Sequence, residues 1–506
     1  MAINTLHILE VGEIKEIKKS VAKVTGLSSC MNGQLLDITA SAKGMIMGFI
    51  EDEALILLLG RTEEVKVGDR AYSSMESFKI PVGEGFLGRV VNALAEPLDG
   101  KGPVAVSGSA SQPVSGFNPP TGQPANPQTH YPLFRDAPSV LERVPITEVF
   151  ETGLLIIDAT IPIGKGQREL IIGDRMIGKS TICIDAIINQ KDKGVICIYC
   201  CIGRAYASLA KIVETFKVNG ALDYTIIVSA TASSPVGEQY LAPYTACALG
   251  EYFMDNGKDV FVVFDDLSKH AWAYRQISLL LERSPGRDAY PGDVFYLHSQ
   301  LMERAGKLSP ERGSGSMTFF PIVDTLQGDI TGFIPSNLVS MTDGQIYLNS
   351  ALFSAGFKPA IDLGLSVSRI GNKVQCPAMK ELSAMLRLEY IQYNDLVRVT
   401  RFKAGISEEV SRALKHGEIV TQLFLQDRNK PYSLEEELIL LYALRQNILE
   451  VLSKEAIERF KKNILNFAKA NFSQVLGELQ GKKTLTPEIK KGLNECLIAF
   501  FKKEGL

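Results

Sequence analysis

Excess positive charge, long apolar runs and metal-spaced histidines are all scarce in this 506-residue chain. Its 54 basic and 57 acidic side chains leave a formal net charge of −3, which argues against a generally basic nucleic-acid binder. No stretch approaches the roughly eighteen consecutive apolar residues of a membrane helix; the densest short run, ALILLL at Ala54–Leu59, is strand-sized. The opening MAINTLHILEVGEIKEIKK holds neither a basic leader nor a small-residue cleavage site. A cytosolic character is therefore expected, with membrane association only through partners. The five histidines lack H-E-x-x-H and H-x-x-x-H spacing, so a protein-held zinc is not expected. Of eight cysteines, Cys30, Cys183, Cys247, Cys376 and Cys496 stand alone, and Cys197, Cys200 and Cys201 sit in an apolar run with no second ligand pair. They read as small hydrophobes in a reducing compartment. No repeat at solenoid periods is visible.

What is present is globular: 45% hydrophobic and 22% charged residues, in a chain long enough for about two to four domains. Residues 1–85 read as a closed β-barrel, from SVAKVTGL, GQLLDI, GMIMGFI and ALILLLG separated by Gly, Asn, Asp and Glu turns. Residues 86–375 alternate apolar strands (ELIIG, GVICIYC, YTIIVSA, DVFVVFDD) with helical stretches, the pattern of an α/β domain with a largely parallel sheet. Within them, 103–138 are so rich in Pro, Gly and Ser that an exposed loop is expected. Residues 376–506 read as an α-helical domain, with a helix opening at Ser433 in S-x-x-E and the last at Thr486–Pro487.

The segment IIGDRMIGKST carries G-x-x-x-x-G-K-S between a strand-like RELII and a helix-like STICIDAIIN. Glycines let a backbone wrap phosphates, and the helix N-terminus aims N–H groups at them. Lys179 would reach the terminal phosphates and the Ser180 hydroxyl would ligate Mg²⁺, giving a Mg·ATP or Mg·ADP site. A second part is a carboxylate ending a buried parallel strand. VFVVFDD offers Asp265 for orienting Mg²⁺ through water, with Asp266 read as the cap of the following helix. Hydrolysis also needs a group that activates water. The strand after the P-loop helix ends in Gly203–Arg204, and a guanidinium has donors but no acceptor, so Arg204 is not that base.

LLIIDATIPIGKGQRELIIGD, DDLSKHAWAYRQISLLLERSPGRDAYPGDVFYLHSQLMERAGKLS, TDGQIYLNSALFSAGFKPAIDLGLSVSRIG and LGRVVNALAEPLDGKGP together resemble the alpha subunits of F-type (rotary) ATP synthases. The resemblance runs from about residue 11 to the C-terminal helices and is dense over Leu87–Gly371. It implies a multi-domain fold with an N-terminal β-barrel, a central RecA-like α/β P-loop domain and a C-terminal α-helical domain. It further implies a ring in which three alpha subunits alternate with three beta subunits around a gamma shaft, peripheral on the cytoplasmic face of the cell membrane.

Family members of this kind hold nucleotide without turning it over. Beta subunits carry a catalytic Glu after the Gly at the position of Arg204, and alpha subunits usually carry Gln. In the P-loop, Gly173, Asp174, Arg175, Gly178, Lys179 and Ser180 match, and Met176–Ile177 stand where Gln-Thr is common. Phe353 and Pro359 match adenine-pocket positions, with Lys358 in place of the usual Arg, and Gln426 matches a glutamine that approaches the base. Ser366 and Arg369 match the segment facing the neighbouring beta subunit, which implies that Arg369 is an arginine finger supplied in trans. Little sequence precedes the barrel, so contact with the delta subunit of the peripheral stalk is expected to be reduced.

Three alternatives share parts of this pattern. An export-type hexameric ATPase would need its own catalytic carboxylate, against which Arg204 stands. A Rho-like RNA helicase would need aromatic stacking platforms in a barrel that is poor in aromatics here. The third is a regulatory nucleotide-binding subunit of a paralogous rotary ATPase.

Overall fold

Alternating burial between short turns builds the N-terminal part. The computed structural model describes residues 10–104, 130–400 and 408–504. Six strands, β1 (Glu10–Lys18), β2 (Val21–Thr25), β3 (Gln34–Asp37), β4 (Ala42–Ile50), β5 (Glu53–Gly60) and β6 (Arg70–Ser77), close into a barrel in the order β1-β2-β5-β4-β3-β6. Its interior is aliphatic: Ile14, Val24, Leu36, Ile46, Ile56, Leu58 and Ala71.

The chain divides into two units, 1–144 with 194–323 and 336–341, and 145–193 with 324–335 and 342–506. The first holds the barrel and a parallel sheet. Strand Val195–Ile202 lies between Thr225–Ala230 and Asp259–Asp265, and the latter pairs with Ser316–Asp324. These strands are buried on both faces, which is why they read as continuous apolar runs rather than alternating ones. The helix Val236–Asp255 begins against β5: a Cβ on Gly237 would lie 2.7 Å from Leu59 and 3.1 Å from the Leu58 carbonyl oxygen. All three cysteines of the apolar run are buried in Val195–Ile202, where burial raises their thiols. No metal-holding cluster occurs among the described residues.

The exposed loop expected to reach Pro138 is shorter at its C-terminal end. His130–Pro132 pairs antiparallel with Lys79–Pro81, and Leu133 is buried, its N–H donating to Phe78 O at 2.8 Å. The breakers concentrate before His130, and Tyr131 and Leu133 supply apolar surface that a packed strand can use. Residues 105–129 of that expectation lie outside the described ones.

In the second unit, strand Glu169–Gly173 pairs in parallel with Gly344–Leu348, which pairs antiparallel with Val367–Ser368. Helices fill its C-terminal part from Pro377–Ser383 to Pro487–Glu504. Their core comprises Leu438–Leu444, Phe460, Leu493, Leu497 and Phe500. Both expected caps are present: Ser433 Oγ accepts from Glu436 N and Thr486 Oγ1 from Ile489 N, each at 3.4 Å. No described helix is long and apolar enough to cross a membrane.

Candidate functional site

The P-loop follows a fully buried strand, Glu169–Gly173, and runs into the helix Lys179–Ile188. Gly173 has no room for a side chain: a Cβ there would lie 2.7 Å from both Leu348 O and Ile177 Cδ1. Gly178, at φ +102, is the opposite case. A Cβ on it would meet nothing within 4 Å, so the backbone ahead of the helix faces open space. That cradle, the N–H groups of a helix N-terminus and the adjoining Lys179 and Ser180 are the donor set a polyphosphate requires, and they fit it.

Side chains of the loop divide by direction. Ile177 is buried and packs back on Gly173, whereas Met176 is 94% exposed at φ +64. Their departure from Gln-Thr leaves the backbone cradle intact. Lys179 Nζ donates to Gly173 O at 2.7 Å and to Asp174 O, and lies 3.0 Å from Asp324 Oδ1. Arg175 Nε shares Asp324, donating to Oδ2 at 3.1 Å. Asp174 points away from the cradle. Its carboxylate accepts from Thr325 Oγ1 at 2.7 Å, Gly328 N at 2.8 Å and Ser350 Oγ at 2.6 Å.

Through Ser350 the loop is tied to the short helix Ser350–Ser354, which carries Phe353. Lys358 Nζ sits 4.9 Å from the centroid of the Phe353 ring, and a cis bond joins Lys358 to Pro359. Gln426 N donates to Lys358 O at 3.0 Å. The second unit therefore brings together the P-loop, Phe353, Pro359 and Gln426. The amide of Gln426 is already engaged: Nε2 donates to Gly153 O at 2.7 Å and Lys430 O at 2.9 Å, and Oε1 accepts from Leu155 N at 3.3 Å. In this structure the amide secures the loop that follows it.

Asp185, on the P-loop helix, adds a titration to this region. Burial raises its carboxyl to about 7, against which Asn429 N donates at 2.7 Å and the charge of Arg428 pulls downward. Between its ordinary value of 3.8 and about 7 the folded chain holds a proton there that the unfolded chain releases. Its contribution thus weakens stability as pH rises through that window. Asp185→Asn keeps an acceptor for Asn429 and removes the penalty. At pH 8 it is expected to stabilise this unit by about 2–4 kcal/mol and at pH 5 by much less, read as the difference in thermal midpoint at the two pH values.

In the first unit, strand register places Cys201 opposite Asp265, and the chain turning after Ile202 brings Arg204 back to it. Asp265 is completely buried. Arg204 Nη2 donates to its Oδ1 and Tyr199 OH to its Oδ2. Burial above all, then the neighbouring carboxylate, drives the Tyr199 phenol well above its usual value, so it stays a donor. Each oxygen of Asp265 thus accepts one hydrogen bond within the protein, and its remaining lone pairs can still accept from a water. Asp266 caps the next helix as expected, accepting from Lys269 N at 2.9 Å.

Ser366 and Arg369 separate in role. Ser366 is fully buried; its hydroxyl donates to Asp362 O at 2.7 Å and accepts from Tyr347 N at 2.9 Å. It does not face outward. Arg369 is exposed, its N–H bound to Asp343 O at 2.9 Å, and its guanidinium makes no hydrogen bond or ion pair among the described residues. The loop beneath is held by Arg387, whose Nη2 donates to Leu363 O at 2.9 Å and Ser366 O at 2.6 Å.

Sequence reasoning missed Tyr199 and Asp324. Asp324 ends the buried strand Ser316–Asp324, the same signature that drew attention to Asp265, and could have been found by it.

Residues 153–368 match the ATP synthase alpha/beta family, nucleotide-binding domain; 375–500 match its C-terminal domain and 9–74 its beta-barrel domain. The ATP synthase subunit alpha of Clostridium botulinum (strain Eklund 17B / Type B) is 44% identical over 497 residues, covering 98% of this chain and 94% of the relative. That of Petrotoga mobilis is 43% identical over 498 residues, covering 98% and 95%. With the barrel, the P-loop sheet and the C-terminal helices matched in the same order, the chain belongs to the ATP synthase alpha/beta family.

Proposed function

We propose that this chain is the non-catalytic, nucleotide-holding alpha subunit of an F-type ATP synthase, the machine that makes ATP from ADP and phosphate with a transmembrane ion gradient. Three copies of it alternate with three catalytic beta subunits around a gamma shaft, meet the peripheral stalk, and are carried on the cytoplasmic face of the membrane by ion-translocating partners. The observation that carries the non-catalytic reading is Arg204. At the position where a water-activating carboxylate would stand, the chain has a guanidinium locked to Asp265, with no lone pair to accept a proton.

The residues divide the work. Gly173 and Gly178 shape the backbone cradle, Lys179 would bind the terminal phosphates, and Ser180 would hold Mg²⁺, which would supply neutralisation of phosphate charge. Asp174, Arg175, Met176 and Ile177 contribute through the loop backbone and its anchoring. Phe353 and Pro359 line the adenine side, and Gln426 fixes that wall. Arg369 is delivered to the neighbouring beta subunit, and Ser366 positions the loop beneath it.

The purified chain is expected to bind ATP and release no phosphate above background. Lys179→Ala should weaken binding by about 10- to 100-fold, the worth of a hydrogen bond to a charged group. Equilibrium dialysis and a phosphate-release assay read the two quantities. Multiple turnovers by the isolated chain, abolished by Lys179→Ala, would overturn the reading.

A further inference from the structure

Glu169 is a carboxyl with no evident reason to be where it is. It opens the P-loop strand Glu169–Gly173, is completely buried, and has one oxygen, Oε1, without a hydrogen-bond partner. Burying such a group costs stability unless something is gained from it.

Its surroundings show what is gained. Register aligns Glu169 with Gly344 and Gly344 with Ser368, so the three form a row across three strands. The carboxyl lies over the Gly344 backbone: a Cβ at Gly344 would sit 2.5 Å from Oε2 and 2.8 Å from Oε1. Only glycine leaves that space. Gln167 Nε2 donates to Glu169 Oε2 at 2.7 Å and also contacts Ser368 Oγ at 3.1 Å, while Gly164 N holds the Gln167 carbonyl at 2.8 Å. Ser368 Oγ in turn donates to Pro162 O at 2.9 Å and accepts from Gly371 N at 3.3 Å. Ser368 is the residue before Arg369.

On the other side, Arg369 N is bound to Asp343 O, and the Asp343 carboxylate is clamped by Arg168 through N and Nε at 3.0 Å and Nη2 at 2.7 Å. The backbone at Arg369 is thus gripped from two directions, one of which ends on Glu169. Burial first of all lifts the Glu169 carboxyl well above its usual range, and Arg369 is the cation whose charge acts the other way.

We propose that Glu169 is a positioning residue for Arg369: through Gln167 and Ser368 it fixes the strand from which that guanidinium projects. This rests on the reading of Arg369 as an arginine supplied in trans. Effective catalysis by an oriented group is sensitive to displacement, and about 1 Å of misplacement costs on the order of 10²-fold in rate.

The test uses the chain assembled with its beta and gamma partners. Glu169→Ala, which empties the space over Gly344, should lower kcat of the purified complex about 10- to 100-fold with KM for ATP unchanged. Ser368→Ala, which removes the link without opening the core, should lower kcat in the same direction and serves where Glu169→Ala fails to assemble. Glu169→Gln keeps an acceptor for Gln167 and should recover most of the loss. Arg369→Ala is run beside them. If it abolishes turnover while assembled Glu169→Ala and Ser368→Ala complexes keep wild-type kcat, the positioning role is refuted and the reading of Arg369 stands. If Arg369→Ala itself leaves turnover unchanged, the reading of Arg369 fails. A residue that merely supports the fold would lower the yield of complex without changing the kcat of what assembles.

Discussion

Arg369→Ala is expected to lower steady-state ATP turnover of the assembled complex by about 10³- to 10⁵-fold, or roughly 4–7 kcal/mol of transition-state stabilisation. In phosphoryl transfer, charge gathers on the equatorial oxygens, and a guanidinium delivered by a neighbour binds it most strongly at the transition state. The side chain is suited to that use because it is exposed and its guanidinium makes no hydrogen bond or close ion pair among the described residues, on a backbone anchored at Asp343. Removing it should therefore leave the subunit's fold and its ring contacts largely intact. Arg369→Lys keeps the charge but loses the planar fork, so it should fail almost as badly. Gel filtration reads assembly and a coupled assay reads turnover. A normally assembled Ala variant with near-wild-type activity would make Arg369 a surface arginine and nothing more.

Arg304→Met should have the largest effect on stability. Arg304 and Glu251 are each 1% exposed and form a two-pronged pair, Nε to Oε1 at 2.7 Å and Nη2 to Oε2 at 2.8 Å, and Arg304 Nη1 also donates to Leu133 O at 2.9 Å. Methionine fills much of the volume but strands Glu251, whose remaining cationic neighbour among the described residues is Arg135 at 3.8 Å. Leaving one member of a buried pair costs about 3–5 kcal/mol, whereas removing both is far milder. The double variant Arg304→Met with Glu251→Gln should therefore recover most of the loss. Because the chain has two units, the loss should show as an early transition in thermal unfolding rather than a uniform shift. Equal stabilities for the single and double variants would mean that the pair is not coupled. Since Leu133 is part of the link, the same variant should also loosen the segment that follows His130–Pro132.

Local spacing made part of this molecule readable in advance. Gly173 to Ser180 is a contiguous backbone device, so its glycines, lysine and serine can be recognised without knowing any tertiary contact. The strand ends at Asp265 and the caps at Asp266, Ser433 and Thr486 are equally local. What could not be read is fixed by register between distant segments. Arg204 and Asp265 are 61 residues apart, and only the parallel pairing of Cys201 with Asp265 makes them partners. That pairing makes Asp265, which the strand end alone had singled out, one side of an internal ion pair as well. Ser366 and Gln426 were expected to face a neighbour and a base. In the folded chain their polar groups satisfy nearby backbone, because a half-buried loop leaves few of its own N–H and C=O groups for water. The contribution of Glu169 was invisible for a different reason. A charged residue opening a strand normally reads as a solvated end, and the space that receives it exists only because position 344 is glycine.

The closed wall formed by β1 to β6 limits how any neighbouring chain could attach to it. Each of the six described strands pairs with two neighbours within it, so none presents a full-length open flank to which a neighbouring subunit could add a strand. Backbone ladders are indifferent to sequence, and a crown built on them would accept alike and unlike neighbours equally. With that route shut, any choice of neighbour at this end must be written in outward side chains, where single substitutions can change which subunit sits beside which while the barrel itself stays whole.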